Sequence, residues 1–341
     1  MKFFKESFFF IITLVFVILI FELFLKISHI AQPASTNFNS TLGRHKIGGN
    51  KYIFFNEGFS VVKYNNHGFI GDEIDIKKPK DNIRIALLGD SYVESFQVFK
   101  RDYFGTISEN SLNFKNKKNN FSLLNFGRSG FNFSDMYIYQ EKMVDKFNPN
   151  LIIYFISNSD LISTKTDPLL PELRIKNKKD IYLDYNFDKS VLKTYKRTKF
   201  LLQNFVFFNM TNIARKRLKK DYKNLLFGKL GDLFKGSKQV NNVVNNPNSV
   251  NKFSILLASL DNKKVIFINR GREKLEPRFL NKIVNSGFQF YDLSKSLSFE
   301  GEERELDFNP YYWDVTKKDG HWNKKAHKVV ANVLTDIILK N

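Results

Sequence analysis

Apolar residues are distributed along this chain in two distinct ways. Residues 7–25, SFFFIITLVFVILIFELFL, make one continuous run interrupted by a single charge, Glu22. As a helix such a run measures about 28 Å, close to the ~30 Å hydrocarbon thickness of a bilayer. Elsewhere the runs are short, at residues 83–88, 122–126, 151–156, 264–269 and, more weakly, 289–293. Four to six apolar residues bounded by turn signals suit strands buried on both faces of a parallel sheet. Between them, residues 133–147, 250–260, 276–284 and 324–340 repeat apolar positions at three and four, with Pro277 early in its segment. This alternation predicts an α/β fold, a three-layer α/β/α sandwich around a parallel sheet.

The long run predicts an N-terminal transmembrane helix. Lys2 and Lys5 precede it, which favours a cytoplasmic N-terminus and a main body on the extracytoplasmic side of the cell membrane. Glu22 stands four residues before Lys26, so pairing can reduce its cost near the interface. A cleavable signal peptide would have a shorter apolar core and a small-x-small site, and Ala31-Gln32-Pro33-Ala34 fits that poorly. The expectation is an uncleaved single-pass anchor over 1–26, with residues 7–25 in the inner membrane. A lead-in follows over 27–80, and the main domain occupies 81–341.

The insertion over 161–246 breaks the strand–helix rhythm, being far longer than a crossover needs. It holds 19 Lys and Arg against 7 Asp and Glu, 12 of the chain's net charge of +20. Residues 200–234 show helical periodicity with a basic run at 215–220. The segment reads as a mainly helical basic cap beside the active-site edge, a solvated charged pair of helices or a docking surface for anionic headgroups or acidic polysaccharide. A nucleic-acid partner is disfavoured, because the anchor places the domain outside the cytoplasm and no nucleic-acid motif is present. The chain has no cysteine and five histidines, which removes disulfides, thiolate ligands and thiol nucleophiles and leaves little for a metal cluster. Neither a cofactor nor a metal is expected.

Ligand sites in open α/β sheets lie outside the carboxyl ends of the strands. The first candidate strand ends in Gly89-Asp90-Ser91-Tyr92, the second in Asn125-Phe126-Gly127-Arg128-Ser129-Gly130, and the third in Ser157-Asn158-Ser159-Asp160. Asp319-Gly320-His321-Trp322-Asn323 precedes the last helix. A serine hydroxyl is a weak nucleophile until a base takes its proton, and histidine has the pKa for that task when a carboxylate fixes its tautomer. His67 and His327 are assigned to structure, and Trp322 to packing beside the histidine.

Taken in this order, the four segments resemble the blocks of the SGNH/GDSL hydrolase family in its membrane-anchored bacterial form, over roughly residues 60–160 and 264–341. Asn66-His67-Gly68-Phe69-Ile70-Gly71-Asp72, before the first strand, is similar to that branch as well. The resemblance implies a flavodoxin-like fold, Ser91 as nucleophile, His321 as base, and the Ser91 and Gly130 amides as oxyanion donors. Two departures stand out. The third block reads Ser-Asn-Ser-Asp rather than Gly-x-Asn-Asp, leaving Asn158 or Ser159 as the third donor. The family's Asp-x-x-His spacing would put its acid at Lys318, so Asp319 is the expected acid and Asp314 the second choice. The function expected is a serine esterase acting on O-acyl, chiefly O-acetyl, groups of an envelope or exported carbohydrate. The alternatives are an O-acyltransferase using the same triad and a decayed, membrane-tethered glycan-binding protein.

Overall fold

In a computed structural model that describes residues 2–161, 167–176, 180–216, 218, 247–299 and 306–341, the chain divides into two units. One comprises 1–36 with 188–242, the other 37–187 with 243–341.

In the first unit, α1 (Lys2–Ser28) is long and apolar enough to cross a membrane. The expected Glu22–Lys26 contact forms at 3.3 Å. The main described parts of the insertion here are α5 (Lys189–Asn204) and α6 (206–216). Of the insertion expected over 161–246, the described residues 188–216 and 218 group with the N-terminal helix, and 167–176 and 180–187 with the second unit. The rest of that insertion, 162–166, 177–179, 217 and 219–246, lies outside the described residues.

The second unit starts with short pairs, β1 (Thr36–Asn39) with β2 (Gly43–Lys46) and β3 (Lys51–Phe54) with β4 (Ser60–Lys63). The central strands are β5 (Asn82–Leu88), β6 (Asn120–Asn125) and β7 (Leu151–Ile156). After the hairpin β8 (Glu172–Lys176) and β9 (Asp180–Asp184) come β10 (Val265–Asn269) and β11 (Gln289–Asp292). The sheet runs β11-β10-β7-β5-β6 with every pairing parallel. This is the flavodoxin-like order, with its reversal between β5 and β7.

Residue parity explains the layers. Ala86, Leu88, Leu124, Ile152, Tyr154 and Phe267 face a core shared with α4 (Phe133–Lys142), α7 (Pro247–Ala258) and α8 (Pro277–Asn285). Ile85, Leu87, Leu123, Ile153, Phe155 and Ile268 face the other, with α3 (Phe104–Lys115) and α9 (Lys324–Lys340). Successive side chains of a strand point to opposite faces, so a run that is apolar throughout needs a helical layer on each side. The sequence pattern located these strands to within two residues. It did not anticipate α3, whose apolar positions are interspersed with Ser, Glu and Asn, nor the hairpin β8–β9 inside a segment expected to be helical. The first of the expected helices ends at Lys142 and continues as a tight 3₁₀ turn over Val144–Phe147.

Arg84 lies within β5 and is buried, with its guanidinium donating to the carbonyls of Asp75 (2.7 Å), Ile76 (2.8 Å) and Phe147 (3.0 Å). Such charge-assisted bonds offset its desolvation and fasten the end of the lead-in to the sheet.

Candidate active site

The first turn after β5 is α2 (Ser91–Glu94), a single helical turn capped by Asp90. Asp90 Oδ1 accepts the Tyr92 N–H at 3.0 Å, and Oδ2 accepts from Arg270 Nη2 at 2.5 Å. With both carboxylate oxygens engaged, the turn that carries Ser91 is held from two sides. Gly89 fits because a Cβ there would lie 2.3 Å from the Val93 side chain.

Ser91 and His321 meet, 230 positions apart in sequence, with 2.8 Å between Ser91 Oγ and His321 Nε2. The partner on the other ring nitrogen is Glu57, not the expected Asp319. Glu57 Oε1 lies 2.8 Å from His321 Nδ1, and Oε2 accepts the His321 backbone N–H at 3.0 Å. Asp319 instead pairs with Arg272 at 3.0 Å and accepts from Asn309 at 3.2 Å. Asp319 ends β13 (Lys318–Asp319), which pairs antiparallel with β12 (Tyr312–Trp313), where Arg272 and Asn309 reach it. Its side chain is committed to those partners. Asp314, the second choice, is exposed and lies beside Lys317.

Glu57 comes from the turn joining β3 to β4. Two glycines make room for it. A Cβ on Gly58 would lie 2.3 Å from the Trp313 ring, and one on Gly320 would lie 2.6 Å from the Glu57 carboxyl carbon. Trp313 Nε1 donates to the His321 carbonyl at 2.9 Å, so the histidine backbone is held at both its amide and its carbonyl. Burial opposes ionisation of Glu57, but the hydrogen bonds and charge of His321 outweigh it and lower its pKa. The one sequence signal of this arrangement is negative: lysine stands at 318, where the family spacing expects an acid.

The second block forms a tight loop. A Cβ on Gly127 would collide with the backbone of Val93 and Glu94 at 2.2–2.5 Å, and the Arg128 N–H donates to the Gly89 carbonyl at 3.0 Å. Gly130 has φ 82°, a conformation that favours glycine, and faces open space. The loop is held by Glu94, which is buried at 1% exposure. Its carboxylate accepts from Tyr64 Oη (2.8 Å), the Ser129 N–H (2.7 Å) and the Ser129 hydroxyl. Tyr64 lies just past β4, so the lead-in contributes to this loop as well as to the histidine.

The third block is arranged differently from the expectation. The Asn158 amide donates to the Lys274 carbonyl at 3.1 Å, and its oxygen accepts the Glu276 N–H at 2.9 Å. Asn158 thereby fastens the loop after β10. Ser159 Oγ lies 2.9 Å from Ser157 Oγ, and Asp160 accepts from the Ser157 amide (2.9 Å) and hydroxyl (2.8 Å). Asp160 also pairs with Arg270 at 3.0 Å. Burial and the neighbouring Asp90 raise the Asp160 pKa, against the pull of Arg270, to about 6. Arg270, missed in the sequence reading, ties the ends of β5 and β7 together from the end of β10, and its guanidinium stacks over the Tyr92 ring at 4.5 Å.

Around the histidine, Tyr92 packs on His321 (4.8 Å between ring centres) and on Trp322 (5.2 Å), which is fully buried. Burial pushes the Tyr92 phenol up to about 12, so it stays neutral. His327 is buried and accepts from the Phe104 N–H at 3.3 Å. His67 Nε2 lies 2.9 Å from the Ile74 carbonyl. Among the described residues no group of three or more His, Cys, Asp or Glu is placed to hold a metal.

No protein-family model matches the chain, and no curated protein matches it. Among solved structures it is similar to an acetyl xylan esterase, at 12% identity over 75% of this chain and 100% of that one, with a TM-score of 0.38. It is also similar to a lipase/acylhydrolase from Enterococcus faecalis (11%, 75% and 95%, TM-score 0.38). A GDSL-like lipase from Bacteroides thetaiotaomicron is a further match (10%, 78% and 92%, TM-score 0.32).

Proposed function

We propose that this protein is a serine esterase of SGNH/GDSL type that acts through Ser91, His321 and Glu57. The observation that carries the reading is the continuous hydrogen-bonded path from Ser91 Oγ through the imidazole to the Glu57 carboxylate, both links at 2.8 Å. Glu57 on Nδ1 selects the tautomer whose Nε2 is a free base, and stabilises the imidazolium once it forms. His321 removes the Ser91 proton as the oxygen attacks an ester carbonyl. The developing oxyanion is received by the Ser91 and Gly130 amides, at the start of α2 and in the open loop after β6. The imidazolium then protonates the leaving alcohol, and a water activated by the same base releases the acid from the acyl-enzyme. Asn158 is left out of this donor set, because both ends of its amide are bonded elsewhere; Ser159 remains a third donor only if its hydroxyl turns from Ser157.

The substrate class proposed is an O-acylated carbohydrate of the envelope or an exported polysaccharide, reached by a domain that α1 anchors on the outer side of the cell membrane. This follows from the family resemblance and the lysines before α1. Transfer of the acyl group to a sugar hydroxyl uses the same machinery and differs only in which acceptor reaches the acyl-enzyme.

The test is covalent labelling of the full chain in detergent or nanodiscs by a fluorophosphonate, together with hydrolysis of an activated acetate ester. The expected result is labelling at Ser91 and a rate that Ser91→Ala lowers by roughly 10⁶-fold. A folded protein with labelling and turnover unaffected by Ser91→Ala would overturn the reading. Adding an acceptor glycan to the wild-type reaction and measuring acylated product against free acid separates transfer from hydrolysis.

A further inference from the structure

Glu22 is the charged residue inside an otherwise apolar run, and its surroundings give it a use. It is 5% exposed and Leu25, one turn on, is 2% exposed, whereas Phe21, Leu23 and Phe24 are open. Its Oε1 accepts the Val206 N–H at 2.9 Å and its Oε2 the Phe207 N–H at 2.8 Å. These are the first amides of α6, the positive end of that helix, so one carboxylate caps it with two hydrogen bonds. A bare carboxylate within a span is costly; here its charge is met by a helix start and by Lys26.

The cap also fixes where the insertion sits along α1. Glu22 precedes the end of the helix, Ser28, by about 9 Å at the usual rise. The chain leaving α1 is strapped to the same helices. Ala34 N–H donates to the Leu202 carbonyl (2.7 Å), Gln203 and Tyr195 both donate to the Thr36 carbonyl (2.6 and 3.0 Å), and Asn209 donates to the Gln32 carbonyl (2.7 Å). The end of α5 and the start of α6 therefore lie where α1 finishes.

At that level the two helices expose apolar side chains: Phe200 (68%), Leu201 (40%), Phe208 (37%), Ile213 (42%) and Leu218 (69%). They continue the open apolar surface of α1, since the Phe207 ring meets Phe21 edge-on at 6.0 Å. Cations flank them, with Lys193, Lys196, Arg197 and Lys199 on α5 and Arg215 and Lys216 on α6, and no acid occurs between 189 and 216. Apolar side chains bordered by cations at the end of a span match the boundary between acyl chains and anionic headgroups.

We propose that residues 200–216 with Leu218 form an interfacial collar, seated in the surface of an anionic phospholipid bilayer around the exit of α1. The inference rests on α1 spanning that bilayer. Continuity with the surface of α1 favours lipid over acidic polysaccharide as the occupant.

The chain has no native cysteine, so single cysteines can be introduced and labelled with an environment-sensitive fluorophore in the full-length protein. Phe208→Cys and Ile213→Cys report the collar, Leu14→Cys the span, and Phe114→Cys, on α3 at 82% exposure, the aqueous reference. The proteins are placed in phosphatidylcholine vesicles with or without phosphatidylglycerol. The expected result is that labels at 208 and 213 are quenched by spin-labelled lipid and several-fold less by aqueous iodide than the label at 114. Lys199→Glu with Lys216→Glu should reduce that protection more in the anionic vesicles. Iodide quenching at 208 and 213 equal to that at 114, with 14 shielded, would overturn the collar and leave the span standing. Exposure at 14 as well would remove both. Shielding of 208 by a soluble acidic polysaccharide and not by lipid would assign the surface to glycan and overturn the proposal.

Discussion

The turn after β5 and the loop before α9 meet at one hydrogen bond, yet they are built on different principles. Around Ser91, the strand end, the Asp90 cap and the close fit of Gly89 against Val93 all lie within five residues. Around His321, the acidic residue two positions away is held by Arg272, and the carboxylate on the imidazole arrives from 264 positions earlier. Proximity in sequence is a sound guide where a helix start creates the site, because capping and dipole are short-range effects. It fails where nearby side chains are claimed by other partners, as Asp319 is by Arg272 and Asn309. With Lys318 at the position of the expected acid, the carboxylate beside the imidazole is Glu57, from the turn between β3 and β4.

The comparison can be broken most directly by exchanging the roles of the two acids. Glu57→Gln should lower kcat by about 10³–10⁴-fold, as removal of the tautomer-fixing carboxylate does in serine hydrolases. Asp319→Asn should change it less than about fivefold, the range of an exposed ion pair. Steady-state kinetics on the two variants checks this, and the opposite ranking would return Asp319 to the triad.

A smaller effect sharpens the other side. Glu94 touches no reacting atom in the proposed mechanism, but it holds the loop that presents Gly130. Glu94→Gln keeps the shape and replaces an acceptor of the Ser129 N–H by an amide that must both donate and accept. The expectation is a fall in kcat of about 10- to 100-fold, short of the full loss of an oxyanion donor, with KM little changed. A change in KM alone would mean that the loop shapes binding rather than the transition state.

The smallest effect on catalysis concerns His327, behind the site. Burial and then the nearby His321 lower its pKa from 6.5 to about 3. The unfolded chain takes up a proton at 6.5 and the folded chain only near 3, so this residue's contribution to stability is lost as pH falls through that window. Denaturant titrations of the wild type should show stability declining from pH 6.5 downwards. His327→Gln should flatten that decline, and an unchanged slope would show that the imidazole is not held neutral.

Much of the architecture was readable along the chain. Five runs rich in apolar residues gave five parallel strands because the inner strands are buried on both faces and so are mostly apolar, and α9 was recovered end to end from its spacing of three and four. The pair Ser91 and His321, which meet at 2.8 Å, was legible since each stands beside the start of a helix. Glu57 and Arg270 were not. Nothing around residue 57 distinguishes its turn from any other hairpin turn, and Arg270 follows its strand without a motif. The reading of Asn158 changed in the structure because it depended on partners distant in sequence, the loop at 274–276.

The amino-acid sequence alone therefore determined the layered α/β frame, the apolar span and the serine and histidine, because burial period, helix length and strand-end chemistry are properties of short stretches. Tertiary structure alone decided which carboxylate meets the histidine, what holds the Gly130 loop and what Glu22 caps. Those contacts depend on how side chains far apart in the chain come within 3 Å of one another, a distance that only the completed packing sets.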